Sequence, residues 1–143
     1  LLLIFPEKKY LEKILEEVIS NHDFQSALKD KINIHMYAGD TNKKSKEAVW
    51  NLINFNNDTK KLKIVFTTRV GLFLPFVNLN NIVLVDESNS MYIQDQNSVY
   101  FDTRVAAFLL AQAYQAKLTF LSSLPSIRLY NFYPKNVIKQ LQI

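Results

Sequence analysis

The residues able to do chemistry sit where apolar runs stop. Ile82–Val85, the most hydrophobic short run, is followed at once by Asp86 and Glu87, then by Ser88 and Asn89. Together with the hydroxyls and the one Arg that the other strand ends would gather on the same edge, these two carboxylates suit a phosphate and its metal ion. Acids that are merely solvated are also common at strand ends, and spacing alone leaves both readings open. Leu62–Phe66 runs into Thr67–Thr68–Arg69, whose hydroxyls and guanidinium suit a nucleic-acid phosphate. The same residues also read as a helix start, with Thr as cap and Arg in solvent. Leu1–Phe5 ends in Pro6–Glu7, Ile32–Tyr37 in Ala38–Gly39–Asp40, and Leu118–Leu121 in Ser122–Ser123, a pair that is more simply a turn.

What the chain lacks excludes other chemistries. With no cysteine it has no disulfide framework and no thiolate metal site. His22 and His35 stand without spaced carboxylate partners. No G-x-x-x-x-G-K-[ST] loop occurs to cradle a triphosphate, no G-x-G-x-x-G and no G-x-S-x-G. No apolar run approaches the roughly 18–20 residues of a membrane span.

These strand ends need a scaffold that gathers them. At 143 residues and 48% hydrophobic, the chain fits one domain with a real core. Five short apolar runs separated by helical periodicity predict an α/β fold, a mostly parallel sheet of about five strands flanked by helices. Strands are expected at 1–5, 32–37, 62–66, 82–85 and 118–121. The helices expected are one from Pro6 to about Ser20, one capped by Asp40 or Thr41 and carrying Ala48, Val49, Leu52 and Ile53, one over 103–115, and short pieces at 69–73, 126–130 and 135–141. Asn54–Asp58 reads as a polar connector and Trp50 as core. In such a sheet, ligands bind beyond the carboxyl ends of the strands.

Leu1 opens inside an apolar run with no charged head, which reads as a strand whose neighbour is missing and whose edge is exposed. The chain thus reads as a piece of something longer. The charge, 17 Lys and Arg against 13 Asp and Glu, is a weak hint of a polyanionic partner. Lysine clusters at 8–9, 43–46 and 60–63 read singly as solvated surface and together as candidate DNA-backbone contacts. Tyr92, Tyr100 and Phe101 lie in or beside a polar stretch, where exposed rings stack on bases or else pack on the following helix.

The order of these pieces resembles the first RecA-like motor lobe of the PriA-type primosomal replication-restart helicases. The resemblance rests on LLLIFPE (1–7), INIHMYAGD (32–40), KIVFTTRVGLFLPFVNLNNIVLVDES (63–88), YIQDQNSVYFDTRVAAFL (92–109) and LTFLSSLPSI (118–127), and covers the chain to about Tyr133. It implies one partial helicase lobe over 1–143. Asp86 and Glu87 fall on the Walker B acids, Asp86 holding Mg²⁺ and Glu87 acting on the attacking water of ATP hydrolysis. Pro6, Glu7, Thr68 and Arg69 fall on motifs lining the DNA path, Ser123 and Pro125 on the motif coupling nucleotide to DNA, and Tyr92, Tyr100 and Phe101 on an aromatic-rich loop that senses single strands. The implied ligands are ATP and Mg²⁺ in the intact parent, neither held tightly by this chain. The implied partners are single-stranded or forked DNA and other primosome proteins, with no membrane, in the cytoplasm.

The sequence departs from the family pattern at several points. D-E-E-H is Asp86–Glu87–Ser88–Asn89, the glycine before T-R is Thr67, G-S-A-T-P is shortened to Ser122–Pro125, and Y-H-A-R-D reads Tyr100–Arg104. The Walker A loop is expected upstream of Leu1. These departures support an alternative, a degenerate DNA-binding or scaffold module that does not hydrolyse ATP.

Overall fold

The computed structural model describes residues 1–28, 31–54, 61–96 and 99–132. In chain order these form β1 (Leu2–Ile4), α1 (Lys8–Ser20), α2 (His22–Leu28), β2 (Ile32–Tyr37), α3 (Lys43–Asn54) and β3 (Leu62–Thr67). A 3-10 turn at Arg69–Phe73 leads to β4 (Asn81–Val85), and a second at Ser90–Tyr92 to β5 (Ile93–Gln96) and β6 (Val99–Asp102). Then follow α4 (Thr103–Tyr114), β7 (Lys117–Leu121) and α5 (Ile127–Phe132). The expected α/β fold is what forms: a five-stranded parallel sheet in the order β2-β3-β1-β4-β7, flanked by helices. It is compatible with a partial RecA-like lobe.

Continuous apolar runs are explained by two covered faces. Alternate residues Leu2, Ile4, Val65, Ile82 and Leu84 share one core with Val49 and Ile53 of α3 and Ala107 and Ala111 of α4. Their neighbours Phe5, Ile64 and Phe66 pack on the other face with Leu11 of α1, and Phe5 stacks on Phe66 at 5.7 Å. Each fully buried aliphatic contributes roughly 1.5–3 kcal/mol of burial free energy.

Four expectations are corrected. β1 is no exposed edge: it lies between β3 and β4, with Leu3 opposite both Phe66 and Val83, so the edges are β2 and β7. Pro6 precedes α1, and the extended Glu7 (φ −136°, ψ 149°) is its N-cap. The cap of α3 is Asn42, whose Oδ1 accepts from the Ser45 amide at 2.8 Å; Asp40 pairs with Lys8 at 2.6 Å, and Thr41 accepts from the Ala38 amide. Trp50 is 46% exposed, because α3 turns Val49 and Ile53 inward. The short helix α2 and the antiparallel pair β5–β6 were not expected. The expected helix at 135–141 lies outside the described residues, as do Lys60 and most of the 54–58 connector.

Candidate functional site

Because the five strands run parallel, their carboxyl ends share one edge, and Pro6–Glu7, Ala38–Asp40, Thr67–Arg69, Asp86–Glu87 and Ser122–Ser123 all fall on it, whereas Lys61 and Lys63 lie at the amino end of β3. Two inward polar contacts hold this edge. The Tyr92 hydroxyl lies 2.9 Å from the Ile4 carbonyl and 2.6 Å from that of Val85, joining the ends of β1 and β4. The Thr67 hydroxyl donates to the Tyr37 carbonyl at 2.6 Å, joining β3 to β2. Thr67 and Tyr92 are both buried, and burial pushes the Tyr92 phenol well above its ordinary range. Of the two readings left open for these rings, exposure applies at Tyr100, 61% exposed, and burial at Tyr92. Phe101 is half-buried against Phe73, with ring centres 5.8 Å apart.

Asp86 leaves β4 with φ 57°, a left-handed conformation that a short polar side chain tolerates. Asn89 stabilises the turn three ways: its amide N–H donates to the Asp86 carbonyl at 3.0 Å, its side-chain nitrogen donates to Asp86 Oδ2 at 2.9 Å, and its Oδ1 accepts from the Met91 amide. A half-buried carboxylate fixed in this way suits Mg²⁺, which keeps several waters and takes one or two carboxylates plus phosphate oxygens. Among the described residues no cluster of three or more His, Asp or Glu side chains could hold a metal alone. With glycine only at 39 and 71, the chain offers no glycine-rich cradle for a triphosphate.

Glu87 points the other way. It is fully buried, and both carboxylate oxygens are engaged: Oε2 accepts from the Ser126 amide at 3.0 Å and Oε1 from the Ser126 hydroxyl at 2.5 Å. Arg104 Nη1 lies 3.7 Å from Oε1 and donates to the Glu87 carbonyl at 3.3 Å. Arg104 also makes a two-pronged contact with Asp102, Nε to Oδ1 and Nη2 to Oδ2, each 2.8 Å, and Asp102 caps α4 by accepting from the Arg104 amide. Burial alone would push the Asp102 carboxyl up, but Arg104 outweighs it and holds the carboxyl below its ordinary value. The hydrogen bonds Arg104 donates to Asp102 raise Arg104 in turn, against desolvation. Sequence reasoning assigned Arg104 no role. Its signal was Asp-x-Arg at a helix start in a chain with few arginines.

The other expected residues line the same edge. Pro6 is half-buried and Glu7 exposed after β1; Thr68 and Arg69 are half-exposed after β3, and Thr68 makes no side-chain cap bond. Ser123, Leu124 and Pro125 are exposed, while Ser122 lies 3.2 Å from the Ser88 hydroxyl, tying the end of β7 to that of β4.

Fold and edge thus define an α/β domain with an acid pair at the end of its central parallel strands. The chain is similar to the replication restart protein PriA of Rickettsia prowazekii (strain Madrid E), 39% identical over 74 residues, 51% of this chain and 11% of that protein. It is similarly 39% identical over 72 residues to that of Rickettsia typhi (50% of the chain, 11% of the relative). The match to PriA of Borreliella burgdorferi is 25% over 132 residues, 90% of the chain and 19% of the relative. The chain spans about a tenth to a fifth of the length of these curated relatives. The resemblance read from its motifs is met: this is a PriA-like sequence. No protein-family model matches it.

Proposed function

We propose that the chain serves replication restart as part of a PriA-like, ATP-dependent DNA helicase, contributing a DNA- and nucleotide-facing edge. The observation that carries this is the convergence of Pro6–Glu7, Thr68–Arg69, Asp86–Glu87 and Ser122–Pro125 on one end of a parallel sheet, in a chain similar to PriA. Asp86 would hold Mg²⁺ through water, and Mg²⁺ would neutralise charge on the bound phosphates. Glu7, Thr68, Arg69, Tyr100 and Phe101 would meet the strand; Ser123 and Pro125 would relay between the two ligands. Primosome proteins and a cytoplasmic location follow from the same reading.

One observation favours a second reading, a DNA-binding module without hydrolysis: the burial of Glu87 and the occupation of both its oxygens. Both readings require binding to single-stranded DNA, and fluorescence anisotropy measures it. Engaging about four phosphates makes affinity fall about 50-fold between roughly 50 and 200 mM salt. Undetectable or salt-independent binding refutes both. The chain alone is expected not to hydrolyse ATP, so the two readings separate in a polypeptide that also supplies a phosphate cradle: DNA-stimulated hydrolysis selects the first.

A further inference from the structure

Glu87 and the exposed ring of Tyr100 are the two ends of one chain of polar contacts. Ser126 holds Glu87, and two residues on, Arg128 donates from Nη1 to the Tyr100 hydroxyl at 3.0 Å. The same Nη1 lies 3.5 Å from Asp102 Oδ2. Both Asp102 oxygens are already taken by Arg104 at 2.8 Å, so Arg128 is the second and looser cation on a carboxylate that is already paired. Its side chain is 52% exposed, against 8% for Arg104. A guanidinium held by a neutral hydroxyl and a shared carboxylate gains by moving to an unshared anion, and a phosphodiester accepts its fork at two oxygens. Tyr100 beside it offers a face for a base.

We propose that Arg128 binds a phosphate of single-stranded DNA and that this move draws Ser126 off Glu87, so that an occupied strand frees the carboxylate and an empty one keeps it locked. The inference rests on the helicase reading, which gives Glu87 its water-directing role, and adds Ser126 and Arg128 as the residues that control its access. Ser126 is a positioning residue. It is also tied into α5, since the Leu129 amide donates to its carbonyl at 3.0 Å and to its hydroxyl at 3.3 Å, so a shift at Arg128 is transmitted through a single turn of backbone.

The test uses the chain itself with an oligo-dT strand. Anisotropy against salt reads the phosphate contact, and amide hydrogen exchange at Ser126 and Leu129 reads the lock. Saturating DNA should speed exchange at both amides in the wild type. Arg128→Ala should lower the salt slope by about 0.7, the share of one phosphate on a single strand, and abolish the exchange response at saturation. Arg128→Lys, which keeps the charge without the fork, should restore most of the slope. Ser126→Ala, which removes the hydroxyl bond to Glu87 but keeps the Leu129 bond to the residue-126 carbonyl, should speed exchange at the residue-126 amide without DNA, and Ser126→Thr should return it to the wild-type rate. Salt-dependent binding with an unchanged slope in Arg128→Ala, or with no exchange response at Ser126 and Leu129, overturns the inference and leaves the helicase reading standing. Absence of DNA binding by the wild-type chain overturns both.

Discussion

Arg104→Met isolates what the buried charges do. Arg104, Asp102 and Glu87 have side chains only 8%, 7% and 1% exposed, so all three were taken out of water on folding. Methionine fills most of the arginine volume but offers no donors. It strands the Asp102 carboxylate without its two 2.8 Å bonds, leaving the Arg128 contact and the backbone cap, and leaves Glu87 only Ser126. Breaking one partner of a buried pair costs about 3–5 kcal/mol, because the survivor stays buried and uncompensated. For a chain of this size that is a fall of about 10–15 °C in Tm, read by circular dichroism. The pH dependence follows from the Asp102 shift. In the wild type its folded carboxyl lies below the ordinary 3.8, so its contribution is present above that value and is lost as pH falls through the folded one. Without the Arg104 side chain the carboxyl loses the hydrogen bonds that hold it down and titrates higher than in the wild type, so acidification weakens the wild type more than the mutant. The stability gap should narrow from pH 7 toward roughly pH 4. A loss under about 1 kcal/mol, as for a solvated surface pair, or a gap that does not change with pH, refutes this account.

Two further outcomes follow from the strand ends. At Gly71 an added Cβ would overlap the Thr67 side chain, so Gly71→Ala should cost about 1–3 kcal/mol in a denaturant melt, and Thr67→Gly in the same chain should recover part of it. His35 has a buried Nε2 with no hydrogen-bond partner among the described residues, and burial, then Lys63, holds its imidazole below the ordinary 6.5. Its neutral form is therefore favoured by folding: this share of stability is present above pH 6.5 and lost as pH falls through the folded value, and thermal melts of His35→Gln should show a flatter pH dependence there.

The buried parts of this fold were legible because burial on both faces writes itself as unbroken apolar runs. The cores of β1, β3 and β4 follow directly from that rule, whereas 32–37 is an edge strand broken by Asn33 and His35 and 69–73 is a 3-10 turn read from its helical spacing. Pairing order does not follow from it. Nothing in Leu1–Phe5 says that β3 and β4 enclose it, since its neighbours come from 60 to 80 residues away in the chain. The pair β5–β6 was missed because IQDQ is polar and both it and VYFD are short, and a pattern over four residues is a weak signal. Tyr92 was left open and Trp50 was misplaced for one reason: a large ring fits core and surface alike, and only a partner such as the Ile4 and Val85 carbonyls decides. At the site, the position of Asp86–Glu87 was readable, but the opposite orientations of the two acids were not, because the left-handed turn at Asp86 and the capture of Glu87 by Ser126 join residues 39 apart.

Four departures from the family pattern have a local structural partner, while Thr103, in the stretch standing for Y-H-A-R-D, has a buried hydroxyl with no partner among the described residues. Thr67, standing for a glycine, fills the space that Gly71 leaves open and ties β3 to β2. Asn89, standing for a histidine, fixes the turn and one oxygen of Asp86. Ser88, standing for an acid, meets Ser122, itself standing for a glycine, across the ends of β4 and β7. A decayed site would leave such groups unpaired, whereas these hold the strand ends in register. The scaffold of the edge is therefore intact whichever reading is right, and the choice between motor and binding module narrows to Glu87. If its carboxylate can leave Ser126, the edge keeps an acid able to act on water. If it cannot, the same burial makes it a brace between β4 and α5. Arg104→Met bears on this choice as well: a Glu87 deprived of its cation but held by Ser126 stays buried at a cost, while one able to swing out reaches water, and the measured loss then falls to the lower end of the expected range.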